Sequence, residues 1–312
     1  LKYNNPNNKI KFFLISCIFL SPTVRSLINY PYPLIWAICF FLISIYFFLK
    51  FKKVNELKRS NCLLCILNLS IASYFTPNFA VFIIFYFYHF FLNLKNSKEL
   101  LLLIVFSFIL SIPAIAFLIW KDFYMFKNNV FNVSIYEKIN LSNKIVIITS
   151  FLIFFFIPYI KKIYFSLDEI KAKIKDTNFI ILLSLIFLCL FYFDYKSGAG
   201  GGFFYKLSII LFKNDTFILS VFVFSLLFFY FANLINKNNL VIYTILILYN
   251  LQYSIYYKYF DPLLIFIFLF LMRIDKSKSF NLNMIGNKYF LLYFIFLCMN
   301  IFKKGFLKML II

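Results

Sequence analysis

Apolar residues run along this chain in long unbroken blocks rich in Leu, Ile and Phe, separated by short polar breaks and without alternation of period two. Blocks of that kind predict helices, since a membrane barrel strand needs the alternation that is missing. They fall at 10–21, 33–50, 61–75, 79–94, 100–120, 144–160, 177–193, 216–235, 240–256, 262–273 and 288–302. A helix crossing a bilayer takes about 20 mostly apolar residues, so the shorter blocks predict tilted, re-entrant or neighbour-buried spans. Pro113 and Pro158 lie inside blocks and predict kinks. The expected fold is all-α, a polytopic transmembrane helix bundle of about 9–11 spans, with residues 1–312 forming a single multi-pass membrane domain.

Composition narrows the picture further. Of the 312 residues, 63% are hydrophobic, 24% aromatic and only 14% charged, whereas a soluble domain is about 45–50% apolar and about 25% charged. No water-exposed surface can be built from that inventory, and disordered chains lack such apolar and aromatic content. The formal charge of +21 does not imply a nucleic-acid partner. The basic residues sit in short runs between blocks, where they orient helices, and no contiguous basic surface with polar neighbours is present. The many Phe, Ile, Lys, Asn and Tyr residues also match what AT-rich codons produce. With the N-terminus in the cytoplasm, 20 of the 32 Lys and Arg residues fall inside, in line with the positive-inside rule. The basic C-terminal tail falls on the other side.

That topology sends the unusual connectors outward: 21–25, 74–78, 121–143, 194–202 and 256–262. On the inner side, 161–176 predicts an amphipathic interfacial helix with lysines facing anionic headgroups. The six cysteines lie in or beside apolar blocks. Cys62 and Cys65 have C-x-x-C spacing without the βαβ surroundings or second pair that redox or zinc sites use, and read as packing residues. His89 is the single histidine, which excludes a His-rich metal centre, and it reads as an interfacial or packing residue. No cofactor is implied. Membrane lipid is the partner that the composition itself implies.

Candidate binding residues follow from the outward connectors. The guanidinium of Arg25, beside Pro22 and a Tyr-Pro-Tyr-Pro run, suits a phosphate ester or snorkels to headgroups. Asn78, in the uncharged break Thr76-Pro77-Asn78, binds a sugar hydroxyl or caps the next helix. The stretch from Asp194 and Lys196 through Gly200, Gly201 and Gly202 holds four of the chain's six glycines, at 198 and 200–202. It is either a ligand-facing loop whose N–H groups approach an anion or a flexible outer loop. Neither a phosphate-binding P-loop nor a dinucleotide fingerprint is present. Lys258 and Asp261, at i and i+3 among four aromatics, pair on one turn, or Lys258 meets lipid phosphate while the aromatics stack on a sugar or isoprenoid. Asp122, in the long 121–143 loop, joins Glu137, Asp194, Asp215 and Asp261 as outer-side acids able to act as a base.

Two of these stretches resemble lipid-phosphosugar-dependent glycosyltransferases of the C fold class (GT-C). The run Tyr257-Lys258-Tyr259-Phe260-Asp261-Pro262 is similar to the aromatic–basic–aromatic–Pro signature of the dolichyl-phosphoglucose α-1,2-glucosyltransferases. The Ser21–Arg25 and Tyr74–Asn78 breaks are similar to the short polar loops of such enzymes. The likeness implies a hexosyltransferase in a bacterial inner (cell) membrane. Its partners would be a polyprenyl-phosphate sugar donor and a glycan or lipid acceptor. Arg25, Lys196 and Lys258 would stabilise the leaving phosphate, and the glycine-rich loop would shape the acceptor side. GT-C enzymes carry their key acid in the first long outer loop. Here 21–32 contains no Asp or Glu and the chain begins at Leu1, so the expectation is a fragment whose beginning lies upstream, and no catalytic residue is carried over. A transporter or flippase for a lipid-linked glycan, and a non-catalytic membrane subunit, share the same spans. A buried intramembrane charge would favour the transporter, and converging outer loops the transferase.

Overall fold

A computed structural model describes residues 20–21, 24–25, 32–53, 58–94, 96–120, 140–160, 167–196, 200–250, 253–261, 263–273 and 288–298. The rest of the 10–21 block, residues 121–139 of the long loop, Pro262 and the end of the last block lie outside the described residues. The fold is an all-α helix bundle, with no strand among the described residues.

The helices are α1 (Pro33–Lys53), α2 (Lys58–Phe75), α3 (Ile83–Asn93), α4 (Ser97–Trp120), α5 (Leu141–Ile160), α6 (Leu167–Ile174) and α7 (Thr177–Phe191). They continue with α8 (Gly202–Leu207), α9 (Thr216–Phe231), α10 (Lys237–Tyr249), α11 (Tyr257–Phe260) and α12 (Leu263–Phe266), and with α13 (Lys288–Cys298). A 3-10 turn over Pro77–Phe82 leads into α3, so the 79–94 block is two pieces. Wider π turns extend α8 through Ser208–Phe212 and α12 through Ile267–Leu271. Local chemistry sets several of these boundaries. Pro33 opens α1, where its missing N–H costs nothing. Pro77 stops α2 because the residue before a proline is pushed out of helical geometry. The Asp176 carboxylate accepts the Asn178 amide and caps α7. Helices α4 and α5 run through Pro113 and Pro158.

Among the described residues three helices are long and apolar enough to cross a membrane: α1, α4 and α5 as far as Pro158. At 1.5 Å per residue the 24 residues of α4 reach about 36 Å, against a hydrocarbon core of about 30 Å. The helices Thr177–Phe191, Thr216–Phe231 and Lys288–Cys298, and the pieces Pro77–Asn93 and Gly202–Phe212, are apolar but shorter. Nearly the whole of α4 is bare: Leu103 is its one buried residue, while Leu101, Phe108, Ile119 and Trp120 are exposed. A continuous apolar face of that size is not left against water.

The chain divides into two compact units. One comprises residues 31–144 and 237–255, the other 1–30, 145–236 and 256–312. The first has a core of rings from α1, the 3-10 turn, α3 and α10. Ala37, Phe41, Ile45 and Phe48 stand at steps of four or three on α1, which places them on one helical face. Phe41 lies 4.5 Å, centroid to centroid, from Phe82, and Phe48 lies 5.0 Å from Tyr86. Cys62 and Cys65 are completely buried thiols on α2. His89 is buried against the Phe48 and Phe85 rings, with Nε2 2.8 Å from the Asn238 Oδ1, so it packs inside rather than at an interface.

The second unit is organised around α5. Val146, Ile147, Ile148 and every residue from Phe151 to Phe156 are buried, the pattern of a helix enclosed on all sides. Phe156 meets Phe229 and Phe268 at 5.2 and 4.9 Å. The Tyr289 hydroxyl of α13 donates to the Phe155 carbonyl at 2.5 Å. The amphipathic segment expected over 161–176 is helical from Leu167 to Ile174. Lys171 is exposed, but the Lys173 ammonium turns inward to the end of α9. It donates to the Tyr230 and Phe231 carbonyls at 3.2 and 2.8 Å and to the Asn233 Oδ1 at 2.5 Å. The Tyr230 carbonyl also accepts the Asn233 amide at 3.1 Å, and a cation at this helix C-terminus meets the negative end of the helix dipole.

Candidate functional site

Within the α5 unit, the 21–25 break near one end of the chain is joined to the segment that ends at Asp261. Asp261 ends α11 in an extended conformation (φ −99°, ψ 122°), which carries its carboxylate out of the helical register and into the interior, where it is completely buried. The Ser21 hydroxyl donates to its Oδ2 at 2.5 Å, and the Tyr293 hydroxyl of α13 donates to its Oδ1 at 3.3 Å. The Ser21 Oγ also accepts the Val24 amide at 3.2 Å. One serine thus starts the short turn that carries Arg25 and holds the buried carboxylate, 240 positions away in sequence. A buried carboxylate is tolerable only with donors of this kind.

Cations flank this bond on both strands of chain. The Arg25 amide donates to the Ser21 carbonyl at 3.1 Å, placing Arg25 one turn on, and its side chain is exposed. Lys258 is also exposed. It does not pair with Asp261; its ammonium lies 5.2 Å from the centroids of the Tyr256 and Tyr259 rings, a cation–π arrangement. The i, i+3 pairing expected from the sequence fails because Asp261 leaves the helix while Lys258 stays on its outer face.

The glycine-rich stretch enters the same unit. Gly201 and Gly202 have φ of +87° and +74°, a region open to glycine and strained for other residues. Close packing removes any other choice. A Cβ on Gly202 would stand 2.1 Å from Phe151 Cε1, and one on Gly201 would stand 2.1 Å from Tyr205 Cδ1. The Tyr205 hydroxyl donates to the Tyr195 carbonyl at 2.8 Å and closes the loop on itself. Gly200, Gly201 and Gly202 are all buried, so their tight turn is a packing device at the foot of α8. Phe151 then carries the connection onward, its ring 5.1 Å from Tyr257 and 5.3 Å from Phe260. The Phe296 ring of α13 touches both Phe203 and Tyr257.

At the outer edge of that loop, Asp194 and Lys196 form an exposed ion pair at 2.8 Å, so the Lys196 charge is already partly answered. The Asp215 carboxyl feels both groups. Burial, reinforced by the Asp194 charge and opposed by Lys196, holds it above the usual carboxylate range. Its Oδ1 has no hydrogen-bond partner and it does not cap α9; the Asn214 side chain takes the Thr216 amide instead, at 3.1 Å.

The structure therefore brings Arg25, Asp194, Lys196, Gly200, Gly201, Gly202, Lys258 and Asp261 into one unit. Asn78 belongs to the other unit, half-buried inside the 3-10 turn. The cap position there is held by Thr76, so Asn78 does not cap the helix. Asp122 lies outside the described residues. Sequence reasoning missed Tyr293 and Phe151, which look like any other aromatic in an apolar block. Ser21 was visible only as part of a polar break. Among the described residues no group of His, Cys, Asp and Glu is arranged to hold a metal ion. No protein-family model, curated protein or solved structure matches the chain.

Proposed function

We propose that the chain is an integral multi-pass protein of a bacterial inner membrane and acts as a glycosyltransferase of the GT-C type, moving a hexose from a polyprenyl-phosphate donor to a glycan or lipid acceptor on the non-cytoplasmic face. The observation that carries this reading is the Ser21–Asp261 hydrogen bond. It fastens together two of the three segments that carry the resemblance and sets an exposed cation within about one helical turn of each end, Arg25 and Lys258. Asp261 is a positioning residue, since its carboxylate is occupied and buried.

In the reaction the acceptor oxygen bonds to the anomeric carbon from the face opposite the phosphate. The bond from that carbon to the phosphate oxygen breaks, and polyprenyl phosphate leaves with the electron pair. The acceptor proton passes to a carboxylate base, a role given to no residue here. Arg25 and Lys258 meet the charge that builds on the leaving phosphate, which is where a fixed cation accelerates most. The Tyr256 and Tyr259 rings hold Lys258 in place.

The test is transfer of radiolabelled hexose from polyprenyl-phosphate hexose in membranes containing the protein. Arg25→Ala with Lys258→Ala is expected to lower transfer about 100-fold while leaving the melting temperature unchanged, because both side chains are exposed. Transfer unaffected by the double substitution would contradict the reading. The second reading, a transporter or flippase, is favoured by the burial of Lys144 at the start of α5. It predicts movement of the lipid-linked sugar across vesicles without any new glycosidic bond.

A further inference from the structure

Several helix ends of the unit formed by 31–144 and 237–255 meet at one place. Residues 54–57 are all that separates the end of α1 from the start of α2, and residues 94–96 all that separates the end of α3 from the start of α4. Near the end of α1 the Phe51 ring stands edge-on to Phe90 of α3 at 5.2 Å. The bond from His89 to Asn238 brings the start of α10 to the end of α3. The Cys62 thiol lies within electrostatic reach of both Lys58, at the start of its own helix, and Glu99, at the start of α4. Charge of one sign gathers on these ends. Lys52, Lys53, Arg59, Lys98 and Lys237 are exposed and Lys50 and Lys58 half-buried, whereas Glu99 is the one carboxylate among the described residues of the unit.

The opposite end of the unit is built differently. The Tyr74 hydroxyl at the end of α2 donates to the Leu110 carbonyl in the later half of α4, so these two helices run the same way. At that end Tyr32, Trp36, Tyr74 and Trp120 are exposed, the residues that favour a membrane–water boundary. Lys144, the remaining described cation of the unit, is buried. Back at the basic end, exposed apolar residues begin within one turn of the charges. Leu101 follows Lys98 and Leu240 follows Lys237, each at i+3 and each exposed, so cation and leucine share one helical face. Like charges gathered in this way repel one another unless an opposite charge faces them. A soluble polyanion would answer the cations and leave the leucines bare, whereas a layer of anionic headgroups over acyl chains answers both.

We propose that this basic end is an interaction surface for anionic phospholipids. Lys52, Lys53, Arg59, Lys98 and Lys237 meet the headgroup phosphates of a negatively charged leaflet, and Leu101 and Leu240 enter the acyl layer beneath them. The Lys52 ammonium, 4.4 Å from the Phe48 ring centroid, is held at the rim of the aromatic core by a cation–π contact. The surface lies wholly within one unit, whereas Arg25 and Lys258 belong to the other. It rests on the membrane reading of the bundle and not on sugar transfer, so a chain that transfers nothing still shows it.

Thermal unfolding of the full chain in nanodiscs tests this without any activity assay. Phosphatidylglycerol added to phosphatidylcholine discs at low salt is expected to raise the melting temperature by several degrees. The rise should vanish at about 1 M salt, where the screening length is about 3 Å. Lys53→Gln, Arg59→Gln, Lys98→Gln and Lys237→Gln together are expected to remove most of the rise. Lys213→Gln with Lys288→Gln, at exposed positions of the other unit, is expected to keep it. Polyglutamate added to phosphatidylcholine discs is expected to give no rise. No response of the wild type to phosphatidylglycerol overturns the proposal, as does a response that survives 1 M salt, a comparison that needs no variant to fold. An undiminished response in the fourfold variant, or an equal loss in the Lys213 and Lys288 variant, overturns it too. A rise with polyglutamate that matches the one with phosphatidylglycerol would make the partner a soluble polyanion instead.

Discussion

Helices α4 and α5 are both built mainly from Leu, Ile and Phe, and both are long and apolar enough to cross a bilayer, yet they do opposite things. Only 6% of the α4 span is buried within the protein, against 78% of the α5 span. Apolar character alone therefore says that a helix leaves water and does not say what it meets instead. For α4 the remaining solvent is lipid. For α5 it is a shell of aromatic side chains from α8, α9, α11, α12 and α13. Lipid tails are as apolar as leucine, so α5 is held by close packing and hydrogen bonds more than by exclusion of water.

Substitutions can break or sharpen that contrast. The largest effect is expected at Phe156, wedged between Phe229 and Phe268. Phe156→Ala should cost about 3–5 kcal/mol through lost contacts and the cavity left behind. Phe108→Ala on bare α4 should stay within about 0.5 kcal/mol, and equal losses in unfolding experiments would erase the distinction. Next comes Gly202→Ala. It forces a Cβ into Phe151 at a positive φ, for an expected loss of about 3 kcal/mol, read as a lower denaturation midpoint. Asp261→Ala leaves the Ser21 and Tyr293 hydroxyls without their acceptor in a buried place and should cost about 2 kcal/mol. It should also release the 21–25 turn, read as faster proteolysis there. Lys173→Met strips the cap from the end of α9 and should cost about 1 kcal/mol.

The smallest effect is in pH. Asp176 is held below the usual carboxylate range by hydrogen bonds from the Asn178 side chain and amide. Its contribution is complete above the unfolded carboxylate value and disappears as pH falls through the lower native one. Asp215, held above the usual range chiefly by burial, acts in the opposite sense: its contribution is present at acid pH and lost as pH rises through the native value. Melting curves across the acid range should therefore steepen for Asp215→Asn and flatten for Asp176→Asn.

Much of the bundle was readable from the chain because the boundaries are chemical. The blocks at 33–50, 61–75, 100–120 and 144–160 match α1, α2, α4 and α5 to within a few residues, since polar breaks and prolines end helices locally. The block at 262–273 is instead a short helix followed by a π turn, a change of hydrogen-bond spacing that leaves no mark in an apolar run. The Ser21–Asp261 bond was illegible for a different reason: a serine and an aspartate at opposite ends of the chain carry no sign that they meet. Lys144 opens the 144–160 block and nothing in the chain marks it as buried, because burial is a property of the packed neighbours. The glycines were visible as a cluster, while the need for them lies in the Phe151 ring.

The most direct measurement is spin-label accessibility at three single-cysteine positions, in a background without the native cysteines and with the protein in lipid. Labels replace Phe108 on α4, Phe156 on α5 and Lys258 beside the Ser21–Asp261 bond. The account predicts that position 108 is reached by oxygen and not by a water-soluble nickel reagent, that position 156 is reached by neither, and that position 258 is reached by the nickel reagent. Nickel access at position 108, or its exclusion from position 258, would contradict a lipid-facing α4 and a candidate site open at the membrane surface.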